Sequence, residues 1–203
     1  MALKTLKIKI RGVTSLLQHN SQLANPLNKY AKMLGELSTQ KKRTGADKDD
    51  LLAQMADVEW EGGLYFSPVS GPYLPAMMIK ANIIEGAKLT RGGRDVTRSV
   101  NVMPGEVPLL YEGPRDLETL KADVRFRDQR IVTVSQSKVL RTRPRFDNWS
   151  LEYTAVYNDQ GMEREDLIRY ITDAGMFEGL GDGRGKPGCG RYEIESVDGQ
   201  VLS

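Results

Sequence analysis

The segment that most constrains the fold is a helix predicted over Ala76 to Lys88, directly behind Pro75, because proline suits the start of a helix. Its apolar residues are Met77, Met78, Ile79, Ala81, Ile83, Ile84 and Ala87. A surface helix keeps such residues on one stripe, whereas these are distributed around the circumference. We therefore predict a core helix that other elements must cover.

Strands are predicted at both ends of the chain and between them. Leu6, Ile8 and Ile10 alternate with Lys7, Lys9 and Arg11, which indicates a strand with one buried and one basic face, ended by Gly12 and Thr14. Shorter strands are expected at 62–66, 100–103, 108–111, 124–126 and 191–197, with a loop at 67–73 and a helical turn at 117–120. The β-rich runs 131–143 and 149–157, separated by 144–148, indicate a long hairpin or two adjacent strands.

Three further helices are predicted from apolar spacing. The first two cover 27–37 and, from a possible cap at Asp47, 47–58, with the polar stretch 39–46 between them. They place a helical insertion at 15–62, after the first strand. The third covers 163–174, has acidic residues in its early turns and stops at Gly175.

This order of elements predicts an α+β fold. It is compatible with a ferredoxin-like (RRM-like) β-α-β-β-α-β core that carries the helical insertion and a β-hairpin extension. A chain of 203 residues has room for one well-filled core with insertions, so we expect a single domain over 1–203.

One cysteine and one histidine restrict the chemistry. A lone thiol forms no internal disulfide and supplies no zinc cage, so a reducing compartment is expected and no metal or other cofactor is predicted. No apolar run is long enough for a membrane span, and the alternating N-terminal segment lacks a signal-peptide core. We expect a cytoplasmic protein with no membrane partner.

The net charge of +2, from 29 basic and 27 acidic residues, conceals an uneven distribution. Acidic residues concentrate at 47–61 and 163–173. Basic residues concentrate on strand one, in the loop 41–43 and at 88–98, 130–145 and 184–191. Each basic segment alone is more typical of a solvated surface, but their number favours a polyanionic partner.

The loop 179–190 contains six glycines with Arg184 and Lys186, and Arg191 follows. Glycine permits a close approach of backbone N–H groups to phosphate. A dinucleotide or P-loop motif is excluded because these glycines follow a helix and enter a strand. The alternative interpretation is a flexible surface hairpin.

Arg141, Arg143 and Arg145 share one face of an extended chain at a spacing of about 6 to 7 Å, close to the phosphate repeat of a stretched single strand. Trp149 follows, and aromatic rings beside a basic groove stack on unpaired bases. The alternative is that Trp149 faces the core. The residues expected to contact nucleic acid are Lys9, Arg11, Lys41, Lys42, Arg43, Arg91, Arg94, Arg98, Lys138, Arg141, Arg143, Arg145, Trp149, Gly181, Gly183, Arg184, Lys186 and Arg191.

Few residues suit catalysis, and no enzyme is predicted. His19 is the only imidazole, and a single histidine is usually structural. Cys189 lies among glycines and basic residues without a nearby partner thiol or imidazole. The acidic groups near Asp47 and Asp57 are more typical of helix caps and solvated charge than of a magnesium site.

Three motifs resemble the RAMP superfamily of CRISPR RNA-binding proteins. They are the opening strand and turn Ile8 to Leu17 (IKIRGVTSLL), the proline-led segment Gly71 to Ala81 (GPYLPAMMIKA), and Gly179 to Arg184 (GLGDGR) followed by Gly190-Arg191-Tyr192 before the last strand. Within the family the chain is most similar to the backbone subunits along the guide RNA and to small stand-alone relatives of phages and prophages. His19 lies well before Pro75, whereas the family's processing nucleases often use a histidine near the first core helix.

The resemblance implies a modified RNA-recognition fold that binds single-stranded nucleic acid by its backbone, often as a filament. Gly181, Gly183, Arg184, Gly188 and Gly190 then match the glycine-rich loop. We expect a sequence-independent binder of single-stranded DNA or RNA that forms homo-oligomers. The alternatives are a metal-independent RNA endonuclease that uses His19 and a phage protein that engages a host CRISPR-type complex, in the bacterial cytoplasm.

Overall fold

The computed structural model describes residues 2–43, 48–134, 136–185 and 188–201. It divides into two compact units. Unit 1 comprises Met1–Leu16, Phe66–Gly113 and Phe146–Ser203, and unit 2 comprises Leu17–Tyr65 and Pro114–Arg145. The expected single domain with an insertion at 15–62 remains a prediction. The unit that holds most of the insertion also takes in 114–145.

The elements follow one another as β1 (Leu3–Gly12), β2 (Leu16–Leu17), α1 (Lys29–Arg43), α2 (Lys48–Gly63), β3 (Phe66–Ser67), β4 (Gly71–Pro75), α3 (Ala76–Lys88), α4 (Gly93–Ser99), β5 (Val100–Met103), β6 (Glu106–Leu110), α5 (Leu117–Ala122), β7 (Arg127–Val134), β8 (Ser137–Phe146), β9 (Ser150–Asn158), α6 (Arg164–Asp173), β10 (Tyr192–Val197) and β11 (Gln200–Val201). Two 3₁₀ turns, Ser21–Ala24 and Val124–Phe126, and a π-helical segment, Ala174–Glu178, complete the described part of the chain.

Unit 1 is built on an antiparallel sheet in the order β11-β10-β1-β9-β6-β4-β3, with β5 also paired to β9. β1 lies between β10 and β9, and its alternation is the predicted one: Leu6, Ile8 and Ile10 are buried. Burying a side chain of this size stabilises the fold by roughly 1.5–3 kcal/mol. The expected α+β class is therefore confirmed, with an antiparallel sheet compatible with a ferredoxin-like fold.

The core helix α3 begins and ends at the predicted residues. It buries Ile79 and Ile83 and packs against α6, which buries Leu167 and Ile171. The predicted core helix is thus observed, and of its apolar residues Met77 is 78% exposed.

Unit 2 contains α1, α2, α5 and the β7–β8 hairpin, which belongs to a three-stranded sheet in the order β2-β8-β7. Trp60 on α2 is fully buried, and its Nε1 donates to the carbonyl of Phe126 at 2.8 Å. This bond fixes α2 against the turn that precedes β7.

Several predicted boundaries in unit 2 are wrong. α1 continues to Arg43, so the backbone of 39–43 is helical where a loop was expected. Residues 62–63 end α2 instead of starting a strand, because Gly62 packs against α1: a Cβ there would lie 2.9 Å from Tyr30. Residues 124–126 form a 3₁₀ turn in place of a strand, capped by Asp123, whose carboxylate accepts from the Arg125 N–H at 3.0 Å.

The run 131–143 is likewise not one strand. It contains the end of β7 and most of β8, which pair with each other from Arg127 opposite Pro144 to Val134 opposite Ser137. Gln136, in the turn between them, has a φ of 71°. The predicted hairpin extension therefore lies at 127–146, and 150–158 forms a separate strand, β9, of the unit 1 sheet.

Unit 1 departs from the predictions at three places. Residues 71–75 form β4 instead of a loop, since Tyr73 pairs with Pro108 on β6. Residues 93–99 form α4, which was not predicted. The chain does not stop its helix at Gly175 but continues as the π-helical segment, because this glycine lies against β10: a Cβ there would be 2.3 Å from the carbonyl oxygen of Tyr192.

Candidate nucleic-acid interface

The glycine-rich loop joins the π-helical segment to β10 in unit 1. Gly181 and Gly183, both predicted contact residues, have φ values of 75° and 69°, which side chains rarely adopt. Gly190 has a φ of 73°, and a Cβ there would lie 1.8 Å from the Leu180 carbonyl oxygen. The loop is closed by the Leu180 N–H, which donates to the Gly190 carbonyl at 2.9 Å. The positive φ angles and the close contact at Gly190 therefore require glycine in this loop.

A buried amide on α3 anchors the start of this loop. Asn82 is 1% exposed; its Nδ2 donates to the Gly179 carbonyl at 2.8 Å, and its Oδ1 accepts from the Tyr192 hydroxyl at 2.6 Å. Burial raises the pKa of Tyr192 well above its ordinary value, so its hydroxyl stays protonated and donates. Asn82 was not predicted as a functional residue, although it is the one amide among the apolar residues of α3.

The turn after β1 anchors the other end. The Gly190 N–H donates to the Ser15 carbonyl at 2.8 Å. Thr14 Oγ1 donates to the Gly188 carbonyl at 3.0 Å and accepts from the Arg191 N–H at 2.9 Å. The loop is therefore fixed at both ends, unlike the flexible hairpin that was the alternative.

The cations of the loop differ in their surroundings. Arg184 is exposed, whereas Arg191 is half-buried and its Nη2 donates to the Arg184 carbonyl at 3.1 Å. Arg191 Nη1 is buried with no hydrogen-bond partner among the described residues. Lys186 lies outside the described residues.

A groove of about 610 Å³ runs beside the loop and α3. Arg184 faces three carboxylates there, those of Glu85, Glu178 and Asp182. An excess of negative charge repels phosphate. The groove itself is therefore an unfavourable place for a polyanion.

Trp149 was predicted to contact nucleic acid, but the structure buries it. It is 1% exposed, and its Nε1 donates to the Thr14 carbonyl at 2.8 Å. Its ring fills the space over Gly12, where a Cβ would lie 2.3 Å from Nε1. The indole is not accessible to a base, and it instead holds the turn on which the glycine-rich loop is anchored.

The outer face of β1 is mixed in charge instead of basic. Lys9 pairs with Glu195 at 2.7 Å and Arg11 pairs with Glu193, both on β10. Arg11 is 62% exposed, and exposed ion pairs contribute little, so a phosphate can displace its carboxylate partner. The pattern of β1 alone does not reveal these acidic residues of β10 beside its outer face.

A third basic group of unit 1 lies at α4. Arg94 and Arg98 are one helical turn apart on this helix, and Arg91 precedes it with a φ of 66°. All three are exposed. α4 packs on α3 and β5, so these cations belong to the helical side of the unit 1 sheet.

The predicted row of arginines lies on β8 in unit 2. Arg141, Arg143 and Arg145 are half-buried and alternate with buried residues at 142 and 144, so they share one face as predicted. Lys138 is exposed nearer the hairpin turn. The side chains of Lys41, Lys42 and Arg43, at the end of α1, lie outside what the structure describes.

Two buried carboxylates reach this row, and neither was predicted. Glu59 on α2 accepts from Arg141 Nη1 through one oxygen and from the Thr142 N–H, at 2.9 Å, through the other. Asp128 on β7 accepts from Arg130 Nε at 2.6 Å. Carboxylates from α2 and β7 thus contact the arginines of this face.

A pocket of about 360 Å³ opens beside this row and is formed by residues of unit 2 alone. Its polar residues are His19, Glu59, Arg141 and Arg143. Leu23, Leu34 and Val132 form an apolar wall. The structure thus brings the only histidine next to two of the predicted arginines, which their distance in sequence did not indicate.

A second charged cluster in unit 2 surrounds Glu61. Its carboxylate accepts from the Tyr30 hydroxyl at 2.8 Å and from Lys121 Nζ at 2.9 Å. Burial opposes ionisation of Glu61, but these two donors outweigh it and lower the pKa of Glu61. The same contact raises the pKa of Lys121. With Arg127 paired to Asp57 at 2.6 Å, three acids of α2 are matched by cations of 114–145.

Within the described residues, no helix has the length and hydropathy needed to cross a membrane. The same part of the chain holds no cluster of three or more histidine, cysteine or acidic side chains suited to a metal ion.

Comparison with known proteins finds similarity in structure only. No protein-family model matches the chain, and no curated protein matches it in sequence. The structure is similar to a chain in the cryo-electron-microscopy structure of the type III-B Cmr-beta complex bound to cognate target RNA, with a TM-score of 0.50 and 13% sequence identity. The match covers 97% of this chain and 60% of that chain.

Proposed function

We propose that this protein binds single-stranded nucleic acid, RNA foremost, through its phosphates and without sequence preference or catalysis. The observation that carries the proposal is the row of arginines on one face of the β7–β8 hairpin, where Arg141, Arg143 and Arg145 follow one another at strand spacing. Guanidinium groups bind phosphate oxygens in pairs, and such contacts supply most of the non-specific affinity for nucleic acids.

The fold supports the same proposal. We assign β1, α3, β5, β9, α6 and β10 as a β-α-β-β-α-β core, because their spatial order in the sheet is β10-β1-β9-β5 and the pairs are antiparallel. This is the arrangement expected of a ferredoxin-like, RRM-like or RAMP-like domain. The similar Cmr-beta chain comes from a complex bound to target RNA, and it is longer than this protein. RNA binding by this chain therefore rests on its own residues.

Self-association along the strand is part of the proposal. Unit 1 exposes Met77 on α3 and Met176 and Phe177 in the π-helical segment, and exposed apolar groups of this size favour a protein contact. A stand-alone relative of RAMP proteins carried by a phage, acting in the bacterial cytoplasm, would use such a surface between its own copies.

The test is a titration of fluorescent oligonucleotides at several salt concentrations. We expect the logarithm of affinity to fall linearly with the logarithm of salt, with a slope of about 0.7 per phosphate contact on single strands. Arg143→Gln combined with Arg145→Gln should lower the affinity roughly tenfold or more for every sequence and reduce the slope.

The matched control is Arg115→Gln combined with Arg125→Gln, which changes the net charge equally at two other exposed positions of unit 2. Arg141 is left intact because its substitution would uncover the buried Glu59. Equal effects of the two double variants, or an affinity insensitive to salt, would contradict the proposal. Gel filtration adds a second readout: a monomer that ignores oligonucleotides favours a protein that engages a host complex.

A second candidate function is supported by the pocket that holds His19 with Arg141 and Arg143. In a metal-independent RNA endonuclease, His19 would take the proton of a 2′-hydroxyl. The 2′-oxygen would then form a bond to phosphorus, and the bond from phosphorus to the 5′-oxygen would break. The 5′-oxygen would take up a proton from water. The products would be a 2′,3′-cyclic phosphate and a 5′-hydroxyl end.

Cleavage of RNA without metal, lost in His19→Ala and in substrates with 2′-deoxyribose at the cut site, would establish this activity. Cleavage that persists in His19→Ala would assign it to a contaminant. Binding without cleavage would leave the first proposal in place.

A further inference from the structure

The pocket beside the arginine row has two chemically different sides. Leu23, from the 3₁₀ turn before α1, Leu34 on α1 and Val132 on β7 form one side. The polar residues of the lining are His19, Glu59, Arg141, Thr142 and Arg143. The volume of about 360 Å³ falls in the range of small-molecule sites. A ligand suited to this lining combines an apolar body with an anionic group that the two arginines can bind beside Glu59.

Arg141 is held in place before any ligand arrives. Its Nη1 donates to Glu59, whose side chain is only 9% exposed and whose second oxygen is taken by the Thr142 N–H at 2.9 Å. An arginine has five N–H donors in a rigid fork, so this contact leaves the rest of the guanidinium able to bind an anion. A partly buried, oriented arginine binds a phosphate with less loss of side-chain entropy than a mobile one.

The two sides match the two parts of a nucleotide. A nucleobase is a flat ring system with apolar faces, which suits the wall of Leu23, Leu34 and Val132, and the phosphate suits Arg141 and Arg143. Inorganic phosphate would leave the apolar wall uncovered, and a nucleoside would make no phosphate contact with Arg141 and Arg143.

We propose that this pocket of unit 2 binds one nucleoside monophosphate unit, with its base on the apolar wall and its phosphate on Arg141 and Arg143. As a unit within a strand, this ligand rests on the proposed nucleic-acid binding, with the neighbouring phosphate near Arg145 on the same face of β8. As a free nucleotide, it does not depend on that function.

The experiment is isothermal titration of the full chain with adenosine, uridine and cytidine monophosphates, compared with adenosine and with inorganic phosphate. We expect each monophosphate to bind at least tenfold more tightly than either fragment, because only the monophosphate engages both sides. Equal affinity for a monophosphate and for inorganic phosphate would overturn the proposal.

Two variants locate the site. Leu34→Trp fills the apolar side and should reduce monophosphate affinity at least tenfold, whereas Leu37→Trp, on the same helix but lining a different groove, should not. If Leu34→Trp fails to fold, Arg143→Gln provides the second test and should reduce affinity for monophosphates while leaving that for adenosine unchanged. Unchanged monophosphate affinity in Arg143→Gln would overturn the proposal.

A competition experiment distinguishes a free nucleotide from a nucleotide within a strand, and it tests the pocket separately from the proposed nucleic-acid binding. A monophosphate that displaces a short oligonucleotide identifies the pocket as a position along the strand. A monophosphate that binds without displacing it identifies a free nucleotide as the ligand. Oligonucleotide binding that loses no affinity in Leu34→Trp, with no monophosphate binding, refutes the pocket alone. Monophosphate binding without oligonucleotide binding refutes only the proposed function.

Discussion

Asn82→Ala should destabilise unit 1 and release the glycine-rich loop. The substitution removes two buried hydrogen bonds, those to the Gly179 carbonyl at 2.8 Å and from the Tyr192 hydroxyl at 2.6 Å. An unsatisfied buried polar group costs about 1–3 kcal/mol, so the two together predict a loss of roughly 2–6 kcal/mol. For a chain of this length, that corresponds to a melting temperature lower by about 10 °C.

The assay is urea unfolding of Asn82→Ala followed by circular dichroism, together with amide hydrogen exchange. Exchange should accelerate at Leu180, whose N–H closes the loop, and at Gly190, whose N–H donates to Ser15, before it accelerates in β1. The matched control is Asn101→Ala, since Asn101 is exposed and accepts only from Lys80 Nζ, at 3.0 Å, among the bonds described. A loss below about 1 kcal/mol, or equal effects of the two variants, would refute the role assigned to Asn82.

Three further predictions concern other positions. Trp149→Phe should cost about 1 kcal/mol through the lost indole hydrogen bond, yet leave oligonucleotide affinity unchanged in a fluorescence titration; a tenfold loss would contradict the buried role. Because folding lowers the pKa of Glu61, its ionised carboxylate stabilises the fold at pH values above its unfolded pKa, and this stabilisation should be lost as the pH falls through its folded pKa. Glu61→Gln should therefore reduce the dependence of stability on acid pH in urea unfolding, and an unchanged dependence would contradict the assignment. Gly190→Ala should unfold or severely destabilise the protein in thermal melts, whereas Gly185→Ala, where a Cβ meets nothing within 4 Å, should not; equal melting temperatures would refute the argument from backbone geometry.

Elements with strong local signals were predictable from the sequence. The helix 76–88 and the strand 100–103 have the predicted bounds, because apolar spacing and Pro75 act within a few residues. The alternation of β1 and of the arginine row on β8 also follows from a two-residue period. The turn at Gln136, the helical conformation of Gly62 and Gly175 and the helix α4 depend on contacts with distant segments, which a local pattern does not contain.

The charge distribution of the candidate site was likewise only partly predictable from the sequence. A count of cations along 130–145 finds no acid, yet Glu59 from α2 reaches Arg141, and Asp128 lies just outside the counted segment. On β1, the same count misses Glu193 and Glu195 because they belong to β10, nearly two hundred residues away in sequence. Clusters of cations in sequence therefore overstate the available positive charge wherever an adjacent element supplies carboxylates.

Buried partners also change what the remaining arginines do. An arginine paired with an exposed acid can exchange it for phosphate at little cost, as expected for Arg11. Arg141 has a different role, since removing Glu59 would leave its charge partly buried without compensation. Glu59 thus orients Arg141 and also neutralises part of its positive charge. An arginine oriented in this way suits a site that selects one nucleotide-sized ligand more than a site that only attracts a strand. In the proposed function, Arg143 and Arg145 supply further phosphate contacts, and substitutions at these two positions should reduce the salt dependence of binding without uncovering Glu59.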